Sequence, residues 1–323
     1  MPPAEPPAPP LELVVARAAD AAEGVRVFEL RDPDGGELPP FTAGSHLRVV
    51  VPNGSERKYS LCNDPDERDR YVIAVKRDAS GRGGSVSLVD GVREGDRLRA
   101  SPPENAFAMD ERAPAAIFIA GGIGITPILA MIRSLEARGL TQWKLWYLAR
   151  SRETTPFVDE LSAPEFASRV RIHYDGGDPA RSFDLWPVLE KPTKAHVYCC
   201  GPRPLMDAVR DMTGHWPSGS IHFESFVDGA AMARPEDRAF TVRLARSGVE
   251  VPVPAGTTIL AALAAAGHRV PSSCESGTCG TCRTRWLEGE PEHRDLVLTP
   301  DEQSADIMVC VSRARSDVLV LDL

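Results

Sequence analysis

Four cysteines near the end of the chain constrain it more than any other feature. Three sit in one loop, Pro271-Ser-Ser-Cys274-Glu-Ser-Gly-Thr-Cys279-Gly-Thr-Cys282, and Cys310 follows 28 residues later. The spacing C-x4-C-x2-C…C is the plant-type arrangement of thiolates around a [2Fe–2S] cluster. The loop supplies three ligands and a distant strand is expected to supply the fourth. Gly277 and Gly280 let the backbone wrap closely and point N–H groups at sulfur. A structural zinc site is the alternative, but zinc loops normally carry two C-x2-C or C/H pairs, and one such pair occurs here. Everything upstream is then expected to deliver electrons to these cysteines.

The chain has 323 residues, enough for two or three domains. Its 42% hydrophobic and 26% charged content is that of a globular protein, and the net charge of −9 argues against a nucleic-acid partner. Residues 1–8 open a proline-rich stretch with no basic or apolar signal region, so a disordered leader is expected. No apolar run reaches membrane-spanning length. Seven cysteines, four of them grouped as ligands, suit the reducing cytoplasm.

Residues 9–109 carry short alternating segments, among them Val25-Arg-Val-Phe-Glu-Leu and Tyr71-Val-Ile-Ala-Val, separated by turns such as Pro52-Asn-Gly. Such spacing predicts an antiparallel Greek-key β-barrel. Two motifs lie in it. Arg57-Lys58-Tyr59-Ser60-Leu61 combines a phosphate-neutralising cation, a ring that stacks and a hydroxyl that hydrogen-bonds. Gly81-Arg82-Gly83-Gly84-Ser85 feeds a helix and offers free N–H groups to an anion, with Ser85 as the expected N-cap.

Residues 110–228 alternate strand and helix, which predicts an α/β doubly wound parallel sheet. The apolar run Ala115-Ala-Ile-Phe-Ile-Ala120 enters Gly121-Gly122-Ile-Gly124-Ile-Thr126-Pro127 and then a helical segment. Strand, glycine turn and helix form the context of a dinucleotide site. Pro127 replaces the usual third glycine, and proline is well tolerated in a first helical turn. A helix is expected over residues 159–167. Cys199-Cys200-Gly201-Pro202 ends a later strand, where ligands of such sheets bind, so Cys200 is a candidate nicotinamide contact and Cys199 a core thiol. Arg150 and Arg152 could take a 2′-phosphate, whereas Asp175 would repel one, so the residues leave NADH and NADPH open.

A linker is expected at residues 229–236. Residues 237–323 then read as a hairpin around Ser247-Gly248, a helix capped by Thr257, the cysteine loop, and the strand Ile307-Met-Val-Cys310-Val. This order predicts an α+β β-grasp of the plant-type ferredoxin kind.

With these motifs in this order, the chain resembles the ferredoxin-NADP reductase superfamily, and its Lys76-Arg-Asp-Ala-Ser-Gly-Arg-Gly-Gly-Ser85 stretch resembles the phthalate dioxygenase reductase branch. The resemblance implies FMN, with Arg57, Arg82, Gly84 and Ser85 around the phosphate, Tyr59 and Ser60 at the ring, and Lys58 among the FMN-binding residues. It implies that Phe226, in Glu224-Ser225-Phe226, covers the flavin and that Glu224 lies near its meeting point with nicotinamide. It implies NADH held by Gly121, Gly122, Gly124, Thr126, Pro127, Cys200, Gly201 and Pro202, and the cluster on Cys274, Cys279, Cys282 and Cys310. Ser60, Cys200 and Glu224 are the residues expected at the reacting atoms.

Electron counting gives the mechanism. Nicotinamide releases a hydride, two electrons together; a [2Fe–2S] cluster takes one; a flavin bridges the two. The resemblance therefore implies a monomeric reductase component for a Rieske-type aromatic-ring oxygenase or O-demethylase. The same relay could feed a cytochrome P450. A redox-sensing protein that no longer turns over is the reading from another class.

Overall fold

A computed structural model describes residues 9–217, 219–226 and 234–323. The expected leader (1–8) and residues 229–233 of the expected linker lie outside the described residues. The chain divides into two compact units, one ending at His222 and one running from Phe223 to Leu323.

The first unit holds two sheets. The strands β1 (Leu11–Ala22), β2 (Val25–Arg31), β3 (Ser45–Val50), β4 (Glu56–Ser60), β5 (Tyr71–Lys76) and β6 (Arg97–Ala100) run in the order β4-β3-β6-β1-β2-β5, with β7 (Glu104–Asn105) on β3. A bridge between Leu61 and Ile73, and the Cys62 N–H donating to the Val72 carbonyl at 2.9 Å, join the two outer strands and close a barrel. Closure leaves no open edge. Leu13, Phe28, Leu47, Leu61, Ile73 and Leu98 fill its interior. One helix, α1 (Gly84–Gly91), is inserted after β5. Its N-cap is Gly83 and not Ser85: the Ser85 hydroxyl instead accepts the Asp78 N–H at 3.0 Å.

The second sheet contains β8 (Ala116–Gly121), β9 (Trp143–Ala149), β10 (Val170–Tyr174), β11 (His196–Cys200) and β12 (Ile221–Glu224), the last running two residues past the unit boundary, in the order β10-β9-β8-β11-β12. The pairs β10–β9, β9–β8 and β8–β11 are parallel. Every residue of β8 is buried, as an apolar strand covered on both faces requires. The connecting helices are α2 (Ile125–Ala137), α3 (Val158–Leu161), α4 (Trp186–Leu189) and α5 (Arg203–Met212). The helix expected over 159–167 is cut short at Leu161, and a separate 3₁₀ turn begins at Pro164. Proline there cannot donate to the preceding turn.

The second unit is a mixed sheet in the order β14-β13-β19-β15-β17, built from β13 (Phe240–Leu244), β14 (Glu250–Val253), β15 (Arg283–Glu288), β17 (Asp306–Met308) and β19 (Val318–Leu321). A small pair, β16 (Pro291–Glu292) and β18 (Arg313–Ala314), lies beside it. The helix α6 (Ile259–Ala265) is capped by Thr258, one residue later than expected, its hydroxyl accepting the Ala261 N–H. A short α7 (Pro300–Gln303) has a reciprocal cap between Thr299 and Glu302. The parallel pairing of β13 with β19 between antiparallel neighbours gives the β-grasp.

A buried ion network braces this second unit. Arg294 donates to both Asp237 oxygens, at 2.6 and 3.2 Å, and to Glu292, while Arg313 lies 3.7 Å from Asp237. The Asp237 and Arg294 side chains are each 3% exposed. Arg294 holds the Asp237 carboxyl below its usual range. A depressed carboxylate stabilises the fold above its unfolded pKa, and that stability is lost as acid protonates it. Arg294→Met should therefore destabilise this unit by about 3 kcal/mol at neutral pH. The difference from the parent should shrink below about pH 4, measured by denaturant unfolding across pH.

Candidate functional site

On β4 the side chains alternate. Arg57 and Tyr59 share the half-buried face, Glu56 and Lys58 the exposed one, and Ser60 is buried at the strand end. The Tyr59 hydroxyl is buried without a hydrogen-bond partner, and burial pushes its pKa up to about 12, so it is a neutral donor aimed at nothing in the protein. The Arg57 guanidinium lies over the first turn of α1: a Cβ on Gly84 would stand 2.6 Å from its Nε. Gly84 thus lets a fixed cation reach a helix N-terminus, which is the chemistry a phosphate needs. Arg82 is exposed on the same loop. An orphaned ring hydroxyl beside a phosphate cradle fits a flavin mononucleotide.

The order β9-β8-β11 reverses direction at β8, so a crevice opens beyond the strand ends between Gly121 and Cys200. The glycine motif shapes it by close approach. A Cβ on Gly124 would lie 2.2 Å from the Cys200 carbonyl oxygen, so only glycine lets the start of α2 rest on the end of β11. Thr126 is buried and donates its hydroxyl to the Ile123 carbonyl at 3.1 Å, closing the turn, and Pro127 is buried in the first turn of α2. Gly122 begins the 3₁₀ turn before α2, and Gly201 and Pro202 pack so closely on Gly121 that a Cβ there would stand 2.6 Å from the Pro202 ring. Cys200 is buried at the edge of the crevice. Cys199 is fully buried, and burial raises its thiol.

At the ends of β9 and β10 the two arginines differ. Arg152 is engaged with Asp159 at 2.8 Å, whereas Arg150 runs alongside Gly177. Asp175 accepts the Gly177 N–H at 2.7 Å, which fixes its carboxylate in the turn after β10.

Glu224 ends β12 and is buried, and Phe226 is 47% exposed.

In the second unit Cys282 and Cys310 are buried in the core, and Cys274 and Cys279 are half-buried. The thiols meet two by two, Cys274 with Cys279 and Cys282 with Cys310. Two such pairs are the donor set for two irons. Hydrogen bonds from Cys279 and then Thr278 and Ser276 lower the Cys274 thiol. The Ser276 and Thr278 N–H groups point at that sulfur, 3.4 and 3.5 Å away. Cys310 does not sit in a strand: β17 ends at Met308, whose carbonyl accepts the Val311 and Ser312 N–H groups and turns the chain. The turn is what swings Cys310 toward Cys282.

Sequence reasoning missed the segment that braces this loop. Asp295 is buried and accepts the Val297 and Leu298 N–H groups, and the Leu296 N–H donates to the Gly277 carbonyl. Gly277 has φ 74°, and a Cβ there would lie 2.7 Å from Val311. Nothing in the spacing of residues 293–298 marks this contact.

Such an arrangement binds and orients redox groups, and the chain is an oxidoreductase of the electron-transfer class. Residues 242–315 match the model of the 2Fe-2S iron-sulfur cluster binding domain. Phthalate dioxygenase reductase of Burkholderia cepacia is 57% identical over 97% of both chains. A solved phthalate dioxygenase reductase, described as a modular structure for electron transfer from pyridine nucleotides to [2Fe–2S], superposes with TM-score 0.70 at 56% identity over 97% of this chain and 98% of that one. A self-sufficient cytochrome P450 monooxygenase of type IV matches with TM-score 0.72 at 38% identity, over 97% of this chain and 41% of its own. The chain belongs to the phthalate dioxygenase reductase family.

Two substitutions test the geometry. Gly277→Ala combines a strained φ with a clash and should lower iron and acid-labile sulfide content severalfold while FMN content stays unchanged. Gly124→Ala should weaken NADH binding at least about tenfold in a titration, because the start of α2 must move off Cys200.

Proposed function

We propose that this chain passes electrons from NADH through FMN and a [2Fe–2S] cluster to a Rieske-type aromatic-ring oxygenase or O-demethylase. The pairing of Cys274 with Cys279 and of Cys282 with Cys310, on a chain that also carries a dinucleotide crevice, is the observation that supports this most directly. Flavin, when bound, supplies the capacity to accept two electrons together and release them singly.

The residues do the rest by holding and orienting. Arg57, Arg82, Gly84 and Ser85 take the flavin phosphate, with Lys58 on the same strand, and Tyr59 and Ser60 face the ring. Phe226 shields that ring, and Glu224 stands where flavin and nicotinamide meet. Gly121, Gly122, Gly124, Thr126, Pro127, Gly201 and Pro202 hold the dinucleotide, with Cys200 against its nicotinamide. Asp175 favours NADH, because a 2′-phosphate beside its fixed carboxylate meets repulsion. In this reading residues 9–109 are the flavin module, 110–228 the dinucleotide module and 237–323 the cluster module, joined by a linker at 229–236.

The relatives named for dioxygenases favour an oxygenase partner. The likeness to a P450 monooxygenase favours haem as the second reading. The protein is read as a monomer, and as cytoplasmic because all seven cysteines are free thiols, which suits a reducing compartment.

The purified protein should release FMN and contain iron and acid-labile sulfide in equal amounts; a colourless protein holding one zinc overturns the reading. Cys310→Ser should lose the cluster yet keep NADH reduction of the flavin, followed by stopped-flow absorbance. Mixing the reduced protein with a Rieske oxygenase and with a P450 separates the partners, and faster oxidation by the former is expected.

A further inference from the structure

We propose that Arg133 is a positioning residue that sets the separation between the nicotinamide crevice and the flavin strand. The proposal rests on the reading of Ser60 as a flavin contact and Cys200 as a nicotinamide contact. Arg133 lies on α2, nine residues beyond Gly124, or about 13 Å along the helix. Its Nη1 donates to the Cys62 carbonyl at 2.6 Å, two residues beyond Ser60. Its Nε and Nη2 grip both oxygens of Glu160 on α3, at 2.9 and 2.5 Å. The ring of Phe157, held at φ 62° just before α3, lies 5.8 Å from the guanidinium.

Each end of this connection is fixed. At one end the start of α2 rests on the Cys200 carbonyl. At the other, Cys62 is held to β5 by its N–H and its thiol, which donate to the Val72 carbonyl at 2.9 and 3.3 Å. Between them Met131 of α2 packs against Gly44 of the barrel. The chain of contacts therefore runs from Cys200 through Gly124, α2 and Arg133 to Cys62 and Ser60. Only a guanidinium fits its middle. It binds a carboxylate with two donors and keeps a third for a carbonyl, which an ammonium cannot do in one geometry.

With both groups bound, the step served would be hydride transfer, the dihydronicotinamide giving up one hydrogen with two electrons and the flavin taking them, and Arg133 would hold the two sites at the distance this needs. A displacement of about 1 Å in such a transfer costs about 100-fold in rate. Arg133→Met, Arg133→Lys and Glu160→Gln in the holoprotein test the idea. Flavin reduction by NADH, followed anaerobically, should slow about 10- to 100-fold in Arg133→Met and less in Arg133→Lys. It should stay within about threefold in Glu160→Gln, which keeps the bond to Cys62.

FMN content, iron content and the later oxidation by a partner should not change. Backbone hydrogen exchange over residues 59–63 should quicken in Arg133→Met and not in Glu160→Gln. An unchanged reduction rate in Arg133→Met overturns the proposal, as does a loss that tracks flavin release and melting temperature in all three variants. If Arg133→Met does not fold, a slower rate in Arg133→Lys than in Glu160→Gln still supports it, and the reverse order overturns it. A parent protein whose flavin NADH cannot reduce would refute the functional reading, while the exchange comparison would still decide the role of Arg133.

Discussion

The first unit depends on a backbone contact: the start of α2 lies against the last carbonyl of β11, with only Gly124 between them. A parallel sheet opens a crevice at its switch point whatever its sequence. How wide that crevice is, and what can enter, follows from how closely the two strand ends meet. Here a missing methyl group decides it. The buried β8 supplies a rigid base, Thr126 closes the turn, and α2 leaves the crevice at an angle that its packing on the barrel accepts.

The second unit solves a different problem with a similar device. Four thiolates must gather without one large cavity to hold them, and the loop does so by folding its backbone around sulfur. Gly277 has no room for a side chain because Val311 and Asp295 press on it from the far segment, so the loop and the turn carrying Cys310 are set by one contact. Behind this the Arg294 network keeps residues 292–295 in place. Buried charge of this kind contributes little net stability compared with apolar packing, but removing one partner is costly. The network is thus better understood as fixing one arrangement of the loop.

Much of this was legible in the sequence. The barrel strands, the glycine turn after an apolar run and the cysteine spacing are local patterns, and local patterns follow from backbone period and turn chemistry. The caps lie a residue or two from where the sequence points: Thr258 for Thr257, because adjacent hydroxyls are equivalent until the helix direction is known, and Gly83 for Ser85, because a glycine cap in the left-handed region has no side chain to mark it. Cys310 was assigned to a strand because Ile307 to Val311 reads as one apolar run, and the turn at Met308 carries no glycine or proline to announce it. The arginines were invisible for a plainer reason. Arg133 finds its carbonyl 71 residues away and Arg294 its carboxylate 57 away, so no window of sequence contains both partners.

The buried thiols of the first unit bear on how such a protein ages. Reduced flavins that meet dioxygen yield peroxide, and peroxide attacks thiolates in proportion to their exposure and ionisation. Cys62 and Cys199 are fully enclosed, with burial pushing the former up to about 12 and raising the latter too, so both remain neutral and unreactive. Oxidative damage is thereby directed to Cys274, which is half-buried and whose thiol its neighbours lower, while its partner Cys279 is raised. The chain should lose its electron exit before it loses its entrance, and a worn molecule would still consume NADH while delivering nothing.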